Sequence, residues 1–555
     1  MKIKKTAGPP PKKAAPAGVQ NKTLAEKLES WLEKRSKSLL IITLGISLIF
    51  SFLMFDIKMS EGNDDSEYIE GAYKFARNAE SYFNSKAPLY PIILSVPVKF
   101  FGIKIPILKS LSVIFQLLQI IFLYAAFRKL IPNLILFFTL LFISVNDYFQ
   151  YFASQTYSES FFLFLLALFF YFFRQLYEKN FSTGKSEIKN WLLFGFLLFL
   201  LTLTRNIAIA ALPAVLLFFL FQKNFKAMLF AISSFGIFRI GFEFLRKAVW
   251  GGNSQFASQI DILRQKDPYD ASKGIDDLSG FLGRLTTNTD LYLSKRFFQI
   301  LGFTSDDSII TKTSLSVLVI ILFCLGLFIT FRKNNRTLLF AGLYSLIFCG
   351  LTFFVLQTRW DQPRFVLVCV PFILMVIFYG LYSVSKRNST GFIFAVLIPC
   401  SIILLSSFIS STKKSIANYP IVKENLKGDR YYGYTTDWQN FLKMSKWCAD
   451  SLPAESYVAS RKAPMSFIYA NGKSFYPVYH VFSTDPDSIL NTFKKDQVTH
   501  IILASLRRNP KKQDGYIINT MHRLLQPVVQ KYPDKVSFVE QIGESEPAYL
   551  YKFNY

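Results

Sequence analysis

SFFLFLLALFFYFF, residues Ser160–Phe173, contains neither a charge nor an alternation of polar with apolar positions. A strand with one wetted face alternates, so an unbroken apolar run of this length reads as a helix buried all round. SLSVLVIILFCLGLFITF, Ser314–Phe331, has the same character. Such runs approach the ~20 residues that carry a helix across a bilayer. In lipid the backbone must satisfy its own hydrogen bonds, which leaves helices or closed barrels, and the missing alternation selects helices. The chain of 555 residues is 51% hydrophobic with a mean hydropathy of +0.29. Its 60 Phe are more than a soluble core of this size would bury. These features predict an all-α polytopic membrane domain.

The net charge of +26 raises the question of nucleic acid, and its distribution answers against it. Residues 1–38 carry ten Lys/Arg against three acids, with Pro-rich stretches that prevent an early helix. They read as a basic cytoplasmic arm closing on a short amphipathic helix, Thr23–Ser38. The other basic clusters fall between apolar runs: Arg128-Lys129, Arg174 to Lys189, Lys223 and Lys226, Arg332-Lys333 with Arg336, and Lys386-Arg387. This is the positive-inside pattern of a multi-pass protein of the cytoplasmic membrane. The expected environment is membrane lipid, with no nucleic-acid partner. The first apolar run begins near Leu39 behind the arm, without a small-residue cleavage site, and reads as a retained helix.

With the N-terminus cytoplasmic, spans near 39–55, 105–127, 131–147, 157–173, 191–204, 207–222, 226–244, 314–331, 337–356, 365–384 and 391–410 place every basic cluster inside. Residues 39–410 then form the membrane domain, about eleven helices, in which 191–222 reads as one element broken at Thr204-Arg205-Asn206. Two outer loops are long, 56–104 and 246–312. In the first, Leu89–Phe101 is too short and Pro-interrupted to span and is expected along the interface. Residues 411–555 turn polar and are expected outside, in the periplasm or its equivalent, as a small α/β domain. It has a helix over Trp438–Ser451, strands at Ser456–Ser460 and His500–Ser505, a helix over Gly515–Lys531 and two closing strands from Val536.

Five Cys are scattered without a CxxC pair, and all three His lie in the tail, so no His/Cys metal centre is expected inside the membrane. The charges that stand out lie at the ends of spans. Glu61-Gly62-Asn63-Asp64-Asp65-Ser66-Glu67-Tyr68 follows the first span, and gathered carboxylates repel unless something uses them. Asp64, Asp65 and Glu67 fit either a hydrated acidic loop or a general base tuned by neighbouring acids. Lys86, ahead of Pro88-Leu89-Tyr90-Pro91, is an interfacial lysine or a point charge for a phosphate. Glu159 stands at the lip of the span from 157, and Arg205 interrupts a long apolar stretch, where an interior or phosphate partner is expected. Arg359, Asp361 and Arg364 precede the span from 365, as a local Arg–Asp pair or as a guanidinium fork for a phosphate. Arg461-Lys462 and Arg507-Arg508 read as solvated turns.

Taken together these segments resemble the bacterial GT-C glycosyltransferases, polyprenyl-phosphate-sugar-dependent enzymes related to protein O-mannosyltransferases and lipid A aminoarabinose transferases. Asp64-Asp65-Ser66-Glu67-Tyr68 is similar to the family's Asp-Glu-x-x-Tyr stretch after the first span, and Lys86-Ala87-Pro88-Leu89-Tyr90-Pro91 to its Lys-Pro-Pro-Leu. Tyr157-Ser158-Glu159, Leu203-Thr204-Arg205, and Pro363-Arg364-Phe365 with Pro371 follow in the family's order. The chain departs from the pattern at Asp65, where Glu is frequent, at Ala87 for Pro, and at Glu67 for a basic residue.

The resemblance implies an inverting transfer of a sugar from a polyprenyl-phosphate donor to a hydroxyl on a lipid, glycan or protein. It implies Asp64 as base, Asp65 as its acidic neighbour, and Lys86 with Arg205 or Arg364 on the donor phosphate. Glu67, Tyr68, Glu159 and Arg359 are expected in support. No cofactor is expected and no metal site, although carboxylates alone can hold Mg²⁺ or Mn²⁺. The rival readings are a lipid-linked saccharide flippase or transporter, a polysaccharide polymerase or ligase, and an inactive membrane scaffold. A transporter predicts charges deep in several spans and a repeat between halves, and neither is evident in the sequence.

Overall fold

The computed structural model describes residues 22–79, 86–251, 262–267, 273–304, 311–508 and 516–555. Among these, eight helices are long and apolar enough to cross a membrane. They are α2 (Ser36–Leu53), α5 (Ile105–Phe127), α8 (Ser158–Glu178), the helix ending in α9 (Ile188–Thr204), α11 (Phe225–Trp250), and helices Thr313–Arg332, Arg336–Val355 and Ser389–Leu426. The eleven spans expected from sequence resolve into these eight, one bent pair and two shorter helices. The pair is α6 (Asn133–Val145) with α7 (Asp147–Ala153), bent by 60°. The bend is at Asn146, whose Oδ1 accepts from the N–H groups of Tyr148 and Phe149 and whose Nδ2 donates to the Ile300 carbonyl. The shorter helices are Asn206–Phe221, which contains α10 (Ala211–Phe221), and Val370–Ser385.

Lipid gives apolar helices no hydrophobic reason to associate, so close packing must do it. Phe supplies much of that packing. Phe173 stacks on Phe340 with ring centroids 4.0 Å apart, and Phe170 lies 4.7 Å from Phe372. Elsewhere glycine brings backbones together: a Cβ on Gly380 would come within 2.9 Å of the Gly326 Cα.

The N-terminal arm enters through α1 (Leu24–Lys34), opened by a capping box of Thr23 and Glu26. Its Glu29 carboxylate accepts the Asn133 and Leu134 N–H groups at 2.7 and 3.0 Å, capping α6. The first long loop holds α3 (Asp64–Arg77) and α4 (Leu89–Phe101), the latter too short to span and carrying Pro97. Part of the second loop, residues 252–261, 268–272 and 305–310, lies outside the described residues.

The last helix runs unbroken through the expected boundary at 410 to Leu426, and the α/β unit begins beyond it. Its five-stranded sheet has the order β2-β1-β3-β7-β6, with β1 (Val458–Ser460), β2 (Phe475–Pro477), β3 (His500–Ala504), β6 (Val536–Ile542) and β7 (Ala548–Phe553). β1 is parallel to β2 and β3, and β7 is antiparallel to β3 and β6. Alternate residues serve the two faces: Ile501 packs with Phe493 and Leu524, Ile502 with the layer containing Trp438. The helix expected over Gly515–Lys531 starts only at Thr520, because Ile517-Ile518 forms β5 against β4, Leu506–Arg507. Residues 509–515 lie outside the described residues.

The tail is fastened to the first loop. Tyr434 Oη accepts from Met59 N at 2.7 Å and donates to Met59 O at 2.6 Å, while Lys58 Nζ donates to Gly433 O at 2.7 Å. Tyr73 of α3 lies edge-on to Phe467, 5.1 Å away.

Candidate active site

The chain leaves α2 and is caught by Lys109, a wholly buried lysine of α5. Its ammonium donates to Asp56 Oδ1 and Asp56 O, each at 2.9 Å, and to Lys58 O at 2.6 Å. Ser60 continues the turn, its hydroxyl accepting from Gly62 N at 3.0 Å and from Tyr157 Oη at 2.7 Å. Asn63 takes a left-handed backbone, φ 78°, a conformation that Asn tolerates better than most residues. Helix α3 starts at the next residue. Asp64, Asp65 and Glu67 therefore occupy a first turn, whose free N–H groups and dipole favour carboxylates.

Helix geometry then separates them. Asp64 and Glu67, three apart, share a face, and both meet Lys86. Its Nζ is 2.8 Å from Asp64 Oδ1 and 2.7 Å from Glu67 Oε2, and 4.9 Å above the Tyr68 ring. The second oxygen of Asp64 receives Arg364 Nη1 at 2.6 Å. Arg364 also lies 3.9 Å from Glu159 Oε1, which pairs with Arg205 Nη1 at 2.6 Å. Tyr68 Oη hydrogen-bonds Ser158 Oγ at 3.1 Å. The chain of charge thus runs Glu67–Lys86–Asp64–Arg364–Glu159–Arg205.

Local structure explains the two members nearest the apolar bundle. Glu159, 1% exposed in the first turn of α8, needs a partner there. Arg205 reaches it because α9 stops at Thr204 and Arg205 itself is extended, φ −148° and ψ 131°, before the turn Asn206–Ala210.

Asp65 turns inward and is fully buried. Oδ2 accepts from Ser60 N at 2.7 Å and Oδ1 from Ser66 N at 2.8 Å. The two neighbouring acids are driven opposite ways. Burial pushes the Asp65 carboxyl up to about 7, against those backbone hydrogen bonds and the Lys109 charge. Burial also works to raise Asp64, but the charges and hydrogen bonds of Lys86 and Arg364 outweigh it and hold that carboxyl well below the usual range. Burial works to lower Lys86, and Asp64 with Glu67 reverse it, keeping the ammonium charged.

Two expectations are corrected. Arg359 and Asp361 do not pair: Arg359 Nη1 meets Asp267 Oδ2 at 2.6 Å, whereas Asp361 is held by Lys295 at 3.2 Å and by Arg296. Arg359 is half exposed and its ion pair is with Asp267 of the second long loop. Lys462 is not a solvated turn. It is 9% exposed, and its ammonium donates to the Glu61 carbonyl at 2.6 Å, so the tail domain touches the acidic loop. Burial, then the charge of Arg461, lowers it to about 8. Sequence reasoning passes over Lys109 although a lone charge inside an apolar run was the signal. Lys462 offers no such signal, since a basic pair before Ala463-Pro464 is common on surfaces. Among the described residues no group of three or more His, Cys, Asp or Glu gathers as for a metal ion.

This architecture is shared with solved membrane proteins. ArnT from Cupriavidus metallidurans bound to undecaprenyl phosphate matches with a TM-score of 0.55 at 11% identity, covering 92% of this chain and 97% of that one. The archaeal oligosaccharyltransferase AglB from Archaeoglobus fulgidus, in complex with an inhibitory peptide and a dolichol-phosphate, matches at 0.54 and 11% identity, covering 94% and 74%. No protein-family model and no curated protein matches the sequence. At such identity the likeness is one of fold, and it extends from the membrane helices into the tail domain: the chain has the GT-C fold.

Proposed function

We propose that the chain is an inverting glycosyltransferase. It moves a sugar from a polyprenyl-phosphate donor to a hydroxyl of a lipid, glycan or protein at the outer face of the cytoplasmic membrane. The observation that carries this reading is Asp64 set between Lys86 and Arg364, at 2.8 and 2.6 Å, where an apolar bundle meets its polar loops. A lipid phosphate arriving from the bilayer meets that level with its chain among the helices and its anion at the cations.

The chemistry follows from the residue types. Asp64 takes the proton of the acceptor hydroxyl, whose oxygen attacks the anomeric carbon in line, a single displacement that inverts it. Lys86 and Arg364 stabilise the charge growing on the leaving phosphate, Arg364 with a forked donor and Lys86 as a point charge. Arg205 acts through Glu159, which holds Arg364 from behind. The membrane holds donor and enzyme together, and the loops orient the acceptor. No resident metal enters this scheme: both Asp64 oxygens and one Glu67 oxygen face cationic side chains, and the other Glu67 oxygen accepts from Asn63 Nδ2.

Support comes also from the fold shared with ArnT, solved with undecaprenyl phosphate, and AglB, solved with dolichol-phosphate and a peptide. The test is mass spectrometry of glycans and glycolipids from cells with and without the chain. The expected result is a species one sugar heavier only where the chain is present. Identical spectra would reject the reading.

A further inference from the structure

Both oxygens of Asp64 are engaged, Oδ1 by Lys86 at 2.8 Å and Oδ2 by Arg364 at 2.6 Å. A base must accept a hydrogen bond from the group it deprotonates; each Asp64 oxygen keeps a lone pair for one, but two cations held against the carboxylate make it a poor proton acceptor until one of them is drawn away. A carboxylate bridging two cations also occupies the place that two oxygens of a phosphate would take, since both anions present paired oxygens to such donors. We propose that Asp64 is the resident occupant of the phosphate site: its carboxylate holds Lys86 and Arg364 until a lipid phosphate displaces it, and the displaced carboxylate is the base. This rests on the reading of the site as a lipid-phosphate glycosyltransferase and adds to it an order of events.

Charge and exposure agree with the exchange. Three cations, Lys86, Arg364 and Arg205, are matched by three carboxylates, Asp64, Glu67 and Glu159. A phosphodiester that seats on Lys86 and Arg364 finds both already paired, so a carboxylate has to yield its place to it. Glu159 cannot, with a side chain 2% exposed beneath two arginines. Glu67 has its second oxygen fixed by Asn63 Nδ2 at 3.0 Å. Asp64, at 29%, is the most exposed of the three.

Displacement changes the carboxylate as well as freeing it. With Lys86 and Arg364 turned to the phosphate, the charges that hold Asp64 low are shared, and its affinity for a proton rises. In the transfer the acceptor O–H proton goes to Asp64, the acceptor oxygen bonds to the anomeric carbon, and the bond from that carbon to the phosphate oxygen breaks. The electron pair stays on the phosphate, facing Lys86 and Arg364. A competent base then exists only where a donor is seated. By linkage the antagonism is mutual: whatever Asp64 takes from phosphate affinity, phosphate takes from the Asp64 ion pairs.

The test is binding of undecaprenyl phosphate to the full chain in nanodiscs. Losing the competing ion pairs should make Asp64→Asn bind about tenfold or more tightly than the wild type, and Asp64→Ala should shift the same way should the amide find a contact of its own. Adding Lys86→Met or Arg364→Met should abolish the gain. If both Asp64 variants bind no more tightly than wild type while Lys86→Met weakens binding, the exchange is overturned and the phosphate site stands. If neither wild type nor any variant binds the lipid, the donor reading fails and the exchange with it.

Discussion

Asp64 and Asp65 are neighbours at the start of α3, and about 100° of helix rotation sends one to Lys86 and Arg364 and the other into the core. Asp65 then titrates near 7 because it is buried, while its neighbour stays ionised throughout the physiological range. As pH rises through about 7, Asp65 loses its proton and places a second negative charge beside Asp64, raising the proton affinity of the base. Transfer, measured as kcat/KM from about pH 6 to 8, should rise along this limb, and the limb should vanish in Asp65→Asn. A variant with an unchanged profile would remove Asp65 from the tuning of the site. The acidic run, Lys86 and Arg205 are legible in the sequence because each is out of place for its local setting. Their pairing is not. Arg364 lies 300 positions from Asp64, and only the packed bundle brings them to 2.6 Å.

Elements show the same division. Continuous apolar runs announce helices, and the Thr204-Arg205-Asn206 interruption announces a break, which the chain uses to turn Arg205 toward Glu159. The 60° bend at Asn146 is not announced, since one Asn in an apolar run gives no sign of capping a new helix. Helix crossings depend on small residues that composition does not single out. Gly380 faces Gly326 so closely that Gly380→Val must part helices Thr313–Arg332 and Val370–Ser385. Overpacking of this kind costs about 1–3 kcal/mol, so the variant should melt measurably lower in detergent. An unchanged melting temperature would mean that the crossing is looser than the backbone contact implies.

At the scale of the molecule, the tail domain covers the acidic loop through Tyr434, Gly433 and Lys462, so the proposed chemistry and the tail must lie on one side of the membrane. The proposal that this side is the outer one rests on the basic clusters between spans. A cysteine introduced as Lys494→Cys, at an exposed position, should react with an impermeant maleimide in intact cells above the wild-type background. Reaction only after permeabilisation would put the site on the wrong face for an external acceptor. The small α/β domain is legible from its succession of helix and strand patterns. Its grip on the loop is not, because the residues that make it look like ordinary surface positions in sequence. The central claim is glycosyl transfer with Asp64 as base, and transfer by purified chain in proteoliposomes supplied with donor lipids from cells lacking it tests this most directly. Asp64→Asn should lower turnover by roughly 10²–10⁴-fold while still binding undecaprenyl phosphate; turnover equal to wild type would contradict the account.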